Sequence, residues 1–186
     1  MLGSHNSLSF SGPKHFLAWL IAPIWRCQTL DIRQQVAAGV RCFDIRCAWD
    51  GQRFVGAHGA VKFQTTIYSA LGDIEFYCPG AYIRILLEQG ENNPEICNRF
   101  HKACEEYQSL YPRLTFFCGR TKYGWKKAAD LSDGPEVVQH VGSMKSRWGA
   151  ILPGVWARIH RKDIPELPSE DAVLLLDIIH SRYAKL

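Results

Sequence analysis

Residues 39–59 read GVRCFDIRCAWDGQRFVGAHG, and the reading of this stretch decides the fold. Gly39 precedes, and the turn pair Asp50-Gly51 follows, a run from Val40 to Ala48 whose Val40, Phe43 and Ile45 suit a pleated, buried surface. Side chains alternate along a strand, so Val40, Cys42, Asp44, Arg46 and Ala48 share one face, and Arg41, Phe43, Ile45 and Cys47 the other. Asp44 and Arg46 are then about 7 Å apart at their Cα atoms on one face. Taken alone, a D-x-R tripeptide is best read as a structural ion pair. A second short strand, Arg53 to Ala57, follows the turn and delivers His58 beside Gly59. Imidazole is the side chain best suited to exchange a proton near neutral pH.

A second histidine, His5, sits in Gly3-Ser4-His5-Asn6-Ser7, whose small polar residues favour a tight loop. Between the two stretches, Thr29 reads as the N-cap of a helix over Leu30–Ala38, with Gly39 as its stop. Two histidines with an Asp-Arg pair on strand ends suit acid/base chemistry on a phosphate ester. The arginine fork matches phosphate oxygens, and the histidines divide the proton work between nucleophile and leaving group.

These residues, in this order, resemble the start of the catalytic X region of the phosphatidylinositol-specific phospholipase C superfamily: Gly3 to Ser7, Gln28, the helix over Leu30–Ala38, Gly39 to Arg46, and His58-Gly59. The resemblance covers roughly the first half of the chain and returns near the C-terminus. At the position of Arg46 the eukaryotic branch places an acidic calcium ligand and the bacterial branch an arginine, so the chain resembles the metal-independent bacterial type. Asn6 and the run Cys47 to Gly51 depart toward the eukaryotic pattern, and Glu88 falls where that branch carries another calcium ligand. The resemblance therefore implies no cofactor, with Arg46 filling the cation's volume and pairing with Glu88 or Asp44. The alternative is Ca2+ or Mg2+ near Asn6, Asp44 and Glu88.

The chain has 186 residues, 47% hydrophobic and 22% charged, enough for one sizeable core, and one catalytic domain over the whole length is the expectation. A net charge of +4 and a pI near 8.7 suit anionic lipid surfaces or phosphorylated substrates. With no polybasic run, RNA-binding signature or zinc-finger spacing, nucleic acid is not an expected partner. Seven cysteines are spread singly without a C-x-x-C pair, and the expectation from a start at Met1-Leu2 is that no signal sequence is present. The expectation is a monomer in a reducing, cytoplasmic compartment, or an exported protein if the chain begins upstream.

Phe16 to Trp25 (FLAWLIAPIW) is uncharged and apolar but far short of the roughly 20 residues that span a bilayer. The favoured reading is a buried helix over the barrel end, interrupted at Pro23. The other is an interfacial segment making peripheral membrane contact through its tryptophans. Helix patterns follow at Thr66 to Tyr77 and after Asn93-Pro94, where Ile96, Phe100, Ala103, Cys104, Tyr107 and Tyr111 form one stripe and His101 lies on its flank. Tyr82–Leu87 and Leu114–Cys118 read as strands. The basic, aromatic run Gly119 to Lys127 offers Arg120, Lys122 and Tyr123 to anionic oxygens or a ring, or is simply a solvated loop. Asp130 to Ile164 yields little beyond a strand candidate at Val155–Ile159. Ala172 to Ile179 (AVLLLDII) fits a buried parallel strand with one acid, Asp177, which needs a specific partner.

Strands alternating with helices predict an α/β parallel sheet. The resemblance makes it a TIM-type (β/α) barrel, compact or incomplete because the strand candidates are too few for eight full repeats. It also implies roles. His5 is the base and Asp177 orients it, His58 is the acid, Arg46 stabilises phosphoryl charge, Asp44 positions Arg46, and Asn6 and Glu88 line the substrate site with the basic loop. The implied activity is cleavage of a phosphatidylinositol-type phosphodiester through a cyclic inositol phosphate, a lyase-type step of lipid metabolism. The alternatives are a metal-dependent glycerophosphodiester or sphingolipid phosphodiesterase on the same barrel, and a catalytically silent lipid or inositol phosphate binding module.

Overall fold

Alternation along the strands sorts side chains into an inner and an outer set, and the fold follows from where each set is buried. The structure, a computed structural model, describes residues 1–90, 92–117, 134–139 and 169–176. It is a mixed α/β barrel of the TIM type. Among the described residues the strands are β1 (Leu2–Ser4), β2 (Cys42–Trp49), β3 (Phe54–His58), β4 (Val61–Thr66), β5 (Tyr82–Leu87), β6 (Thr115–Phe117), β7 (Val137–Gln139) and β8 (Val173–Leu176). Six of them run parallel in the spatial order β7-β8-β1-β2-β5-β6. The other two form an antiparallel hairpin on β2.

Inward-facing Cys42, Phe117, Val137, Val173 and Leu175 pack together, and Gly3 of β1 belongs among them, because a Cβ there would lie 2.7 Å from Leu175 and 2.8 Å from Val173. The alternate residues Phe43, Ile45, Ile83, Ile85, Phe116, Leu174 and Leu176 face outward into the larger core shared with the helices. These are α1 (Ala22–Trp25), α2 (Ile32–Ala37), α3 (Ile67–Tyr77) and α4 (Pro94–Leu110). Phe100, Cys104 and Tyr107 bury the predicted stripe of α4, Asn93 caps it through its side-chain oxygen, and His101 is exposed. Burial pushes the Cys42 and Cys47 thiols well up, so both behave as small apolar groups.

Four expectations need correction. The cap of α2 is Asp31, not Thr29: its carboxylate accepts from the Gln34 amide while the Gln34 side chain accepts from the Asp31 amide, a reciprocal box that Thr29 cannot form. Phe16 to Trp25 is not a buried helix. It begins as a 3₁₀ segment, Phe16–Ile21, with Phe16, Leu17 and Leu20 more than 70% exposed, and Pro23 lies in the first turn of α1. β4 and β7 were not anticipated: β4 buries Phe63 but little else, which weakens its period, and β7 has three residues. The predicted first strand starts at Cys42 because Val40 still belongs to the helix exit, its amide bonded to the Gln35 carbonyl. Gly39, at φ 94°, supplies the left-handed stop.

Candidate active site

The turn after β1 carries His5. Long-range bonds hold its backbone beside local ones: the His5 amide donates to the Leu176 carbonyl at 2.9 Å and the Ser7 amide to the Asp44 carbonyl at 2.8 Å, while the Ser9 amide donates to the Asn6 carbonyl at 3.0 Å and Ser7 Oγ to the Ser4 carbonyl at 2.9 Å. Gln28, fully buried, donates its side-chain amide to both the His5 carbonyl (3.0 Å) and the Leu176 carbonyl (2.8 Å), tying the ends of β1 and β8 together. Asn6 takes φ 47°, a left-handed conformation that Asn tolerates better than most residues. Its side chain is fully buried, and neither of its polar atoms has a hydrogen-bond partner among the described residues. Such a group is costly unless something else satisfies it.

β2 overshoots the end of β1, and β3 folds back along the overhang, pairing Cys47 with Gly56 and Trp49 with Phe54. This return brings His58 to the rim beside His5: the two rings are 6.0 Å apart at their centroids and nearly perpendicular, at 85°. His58 Nδ1 lies 2.6 Å from the Trp25 carbonyl and 3.8 Å from Cys27 Sγ. A carbonyl only accepts, so Nδ1 carries the proton and Nε2 is left as the exchanging atom. His5 Nε2 lies 2.7 Å from Arg46 Nη2. A guanidinium only donates, so Nε2 of His5 is the basic nitrogen in this arrangement.

Beneath the two imidazoles lies a buried charge relay. Asp44 Oδ2 accepts from Arg46 Nε at 3.2 Å and from the Asn6 amide at 3.1 Å, and stands 3.7 Å from His5 Nε2. Asp44 Oδ1 accepts from Arg84 Nη1 at 2.6 Å. Arg46 Nη1 faces Glu88 Oε2 at 3.5 Å, and Glu88 Oε1 accepts from the Gly59 amide at 2.9 Å, which links this relay to the residue after His58. Burial alone would raise the Asp44 carboxyl, but Arg84 and Arg46 outweigh it, helped by His5 and the Asn6 amide, and hold it well below the carboxylate range. Burial likewise disfavours the Arg46 cation, and Asp44 and then Glu88 outweigh that and push its pKa up.

The structure thus brings His5, Asn6, Asp44, Arg46, His58 and Glu88 into one cluster. Asp177, Arg120, Lys122 and Tyr123 lie outside the described residues. No group of three His, Cys, Asp or Glu that could hold a metal ion occurs among the described residues. The Asp44 and Glu88 carboxylates instead converge on the Arg46 guanidinium, which a cation between them would have to displace.

Arg84, Cys27 and the Trp25 carbonyl belong to the cluster and were not singled out from the sequence. Arg84 had a signal. It is a lone charge in the otherwise apolar strand Tyr82–Leu87, the same feature that draws attention to Asp177. Cys27 and the Trp25 carbonyl had none, since a single thiol and a backbone oxygen leave no pattern.

No protein-family model matches the chain, and no curated protein matches it. Solved structures do. The phosphatidylinositol-specific phospholipase C from Listeria monocytogenes matches with a TM-score of 0.61 at 15% identity, covering 100% of this chain and 90% of that one. A mutant of the phosphatidylinositol-specific phospholipase C from Staphylococcus aureus matches with a TM-score of 0.53 at 17% identity, covering 94% of this chain and 69% of that one. A second Staphylococcus aureus structure, from work on modulating that enzyme's membrane binding, matches with the same TM-score and identity over 94% and 70%. The chain has the fold of these bacterial enzymes.

Proposed function

We propose that the chain is a phosphodiesterase of the phosphatidylinositol-specific phospholipase C kind, cleaving a phosphatidylinositol-type diester without a metal. The observation that carries this reading is the pairing of His5 and His58, 6.0 Å apart, above a guanidinium that contacts one of them. Once the phosphoryl oxygens draw Arg46 Nη2 away from it, His5 Nε2 takes the proton of the hydroxyl neighbouring the phosphate as that oxygen attacks phosphorus. The bond from phosphorus to the lipid alcohol oxygen breaks, and protonated His58 gives that oxygen its proton from Nε2. The products are a cyclic inositol phosphate and a diacylglycerol-type alcohol.

Arg46 supplies fixed positive charge for the phosphoryl oxygens, a preorganised contribution of about 3 kcal/mol or more in such sites. The Asn6 carboxamide, buried with no hydrogen-bond partner for either polar atom among the described residues, is the group expected to meet a substrate hydroxyl once the site is engaged. Asp177 is the expected partner of the His5 imidazole, and Arg120, Lys122 and Tyr123 the expected edge of the head-group site. The exposed run Phe16, Leu17, Trp19, Leu20 and Ile21 is the surface that rests on a membrane while the lipid is engaged. No helix among the described residues is long and apolar enough to cross one.

A soluble inositol phosphodiester, followed by phosphorus NMR with and without chelator, tests the reading. The expected result is a cyclic product whose rate ignores chelator and which is lost in His5→Ala and His58→Ala with the fold retained. Loss of turnover in chelator would favour a metal-dependent diesterase, and binding without turnover a silent module. Near wild-type rates in either alanine variant would refute the acid/base assignment.

A further inference from the structure

Among the described residues, the buried charges under the two histidines rest on the Arg84 side chain. Arg84 lies at the centre of β5, flanked in sequence by the buried Ile83 and Ile85 and itself fully buried. The parallel register sets its Cα directly against that of Asp44, two residues deeper than Arg46, which stands against Leu86. A guanidinium at this depth is expensive to bury, and a well-packed apolar residue of similar volume would usually serve stability as well or better. Among the described residues, the inward side chains packed nearby, Cys42, Phe117, Val137, Val173 and Leu175, are apolar.

What the charge does is held in its contact. Arg84 Nη1 donates to Asp44 Oδ1 at 2.6 Å, leaving Oδ2 to accept from Arg46 Nε and the Asn6 amide. We infer that Arg84 is a positioning residue for the proposed phosphodiester cleavage: it pins the Asp44 carboxylate from below, so that Arg46 is held up at the two histidines rather than drawn into the barrel. Among the described residues, the groups that face Asp44 are Arg84 from β5, Arg46 and Cys42 from β2 itself, and His5 and the Asn6 amide from the turn after β1. Glu88 faces Arg46 from the end of β5. Among the described residues, and with the two histidines neutral, Asp44 and Glu88 balance Arg46 and Arg84. Removing Arg84 leaves one carboxylate in excess, makes protonation in the cluster easier, and gives Asp44 only Arg46 as guanidinium partner among the described residues.

Two readouts test this inference, which rests on the proposed cleavage for its kinetic arm only. The first needs no activity. The Asp44 carboxyl carbon is followed by NMR in the wild type, Arg84→Met and Arg84→Lys. Its titration should move up by about one pH unit or more in Arg84→Met and by much less in Arg84→Lys, which keeps the charge. The second is the pH profile of turnover on the soluble diester. Arg84→Met should lower kcat by about tenfold or more with KM within about twofold, and move the acid limb of kcat/KM to higher pH; Arg84→Lys should keep the wild-type limb.

If Arg84→Met does not fold, the pair is removed together. Asp44→Asn with Arg84→Met should turn over no more slowly than Asp44→Asn alone, because Arg84 acts through Asp44. A wild-type carboxyl titration or wild-type kcat in Arg84→Met overturns the inference, as does a further tenfold loss in the double variant. A wild type with no turnover would sink the proposed function, while the carboxyl titration would still decide whether Arg84 holds Asp44.

Discussion

Replacing Asp44 by asparagine removes one charge, changes almost no volume, and should be among the most destabilising isosteric changes available to this chain. The carboxylate is fully buried and accepts from Arg84 at 2.6 Å, from Arg46 at 3.2 Å and from the Asn6 amide at 3.1 Å. Asparagine offers one oxygen, so it cannot serve both sides of the site, and its amide group would point a donor at a guanidinium. Breaking a buried pair by neutralising one partner costs about 3–5 kcal/mol, and here two guanidiniums lose their compensation. At a urea dependence of about 2 kcal/mol/M, that is a fall of about 1.5–2.5 M in the unfolding midpoint at pH 7 with the slope unchanged.

The pH dependence gives the same argument a second edge. The Asp44 carboxyl is held below its unfolded value of about 3.9, so its contribution is fully present above that pH and is lost as pH falls toward the depressed folded value. The gap between wild type and Asp44→Asn should therefore stay constant from about pH 8 to pH 5 and narrow only below about pH 4. A gap under about 1 kcal/mol at pH 7 would mean that the buried pairs contribute like surface ones, against the reasoning. A gap that closes between pH 7 and pH 5 would assign the effect to a different titrating group.

Arg46→Lys keeps a positive charge but cannot reach Asp44, Glu88 and the histidine at once, so kcat on the soluble diester should fall about a hundredfold, read by initial rates. Replacing Phe16 and Leu20 together by serine should weaken binding to phosphatidylinositol-containing vesicles by about a hundredfold, measured by sedimentation, while turnover of the soluble diester is unchanged. Both side chains are at least 75% exposed, so the fold should be indifferent to the exchange. Asn93→Ala removes the cap of α4 and should cost about 1 kcal/mol in urea unfolding with no change in rate.

Much of the site was legible before any contact was known, because its residues advertise themselves by type and by place. Alternation puts Asp44 and Arg46 on one strand face, and His58 and Glu88 each follow a strand candidate; that they share one site with His5 is what the family resemblance implied. Tyr82–Leu87 and the stripe of α4 were equally plain, being long or strongly periodic. The cap of α2 was read two residues early because Thr29 and Asp31 are both acceptable cap residues, and only the reciprocal bond with Gln34 selects between them. Hydrophobicity alone predicts burial for the apolar run at Phe16, because it records what water dislikes, not whether a partner surface exists to cover it.

By itself, then, the sequence determined which chemical groups this protein brings and the longer strands and helices that carry them, since those depend on local periodicity and spacing, while the weakly periodic β4 and the three-residue β7 left no such signal. The tertiary structure alone decided that Arg84 stands against Asp44, that Gln28 ties the turn after β1 to the end of β8, and that the Trp25 carbonyl orients His58. Each of these pairs residues far apart in the chain. Their meeting is set by strand register and by the packing of separate segments, and a shift of one residue would turn every inward side chain of that strand outward.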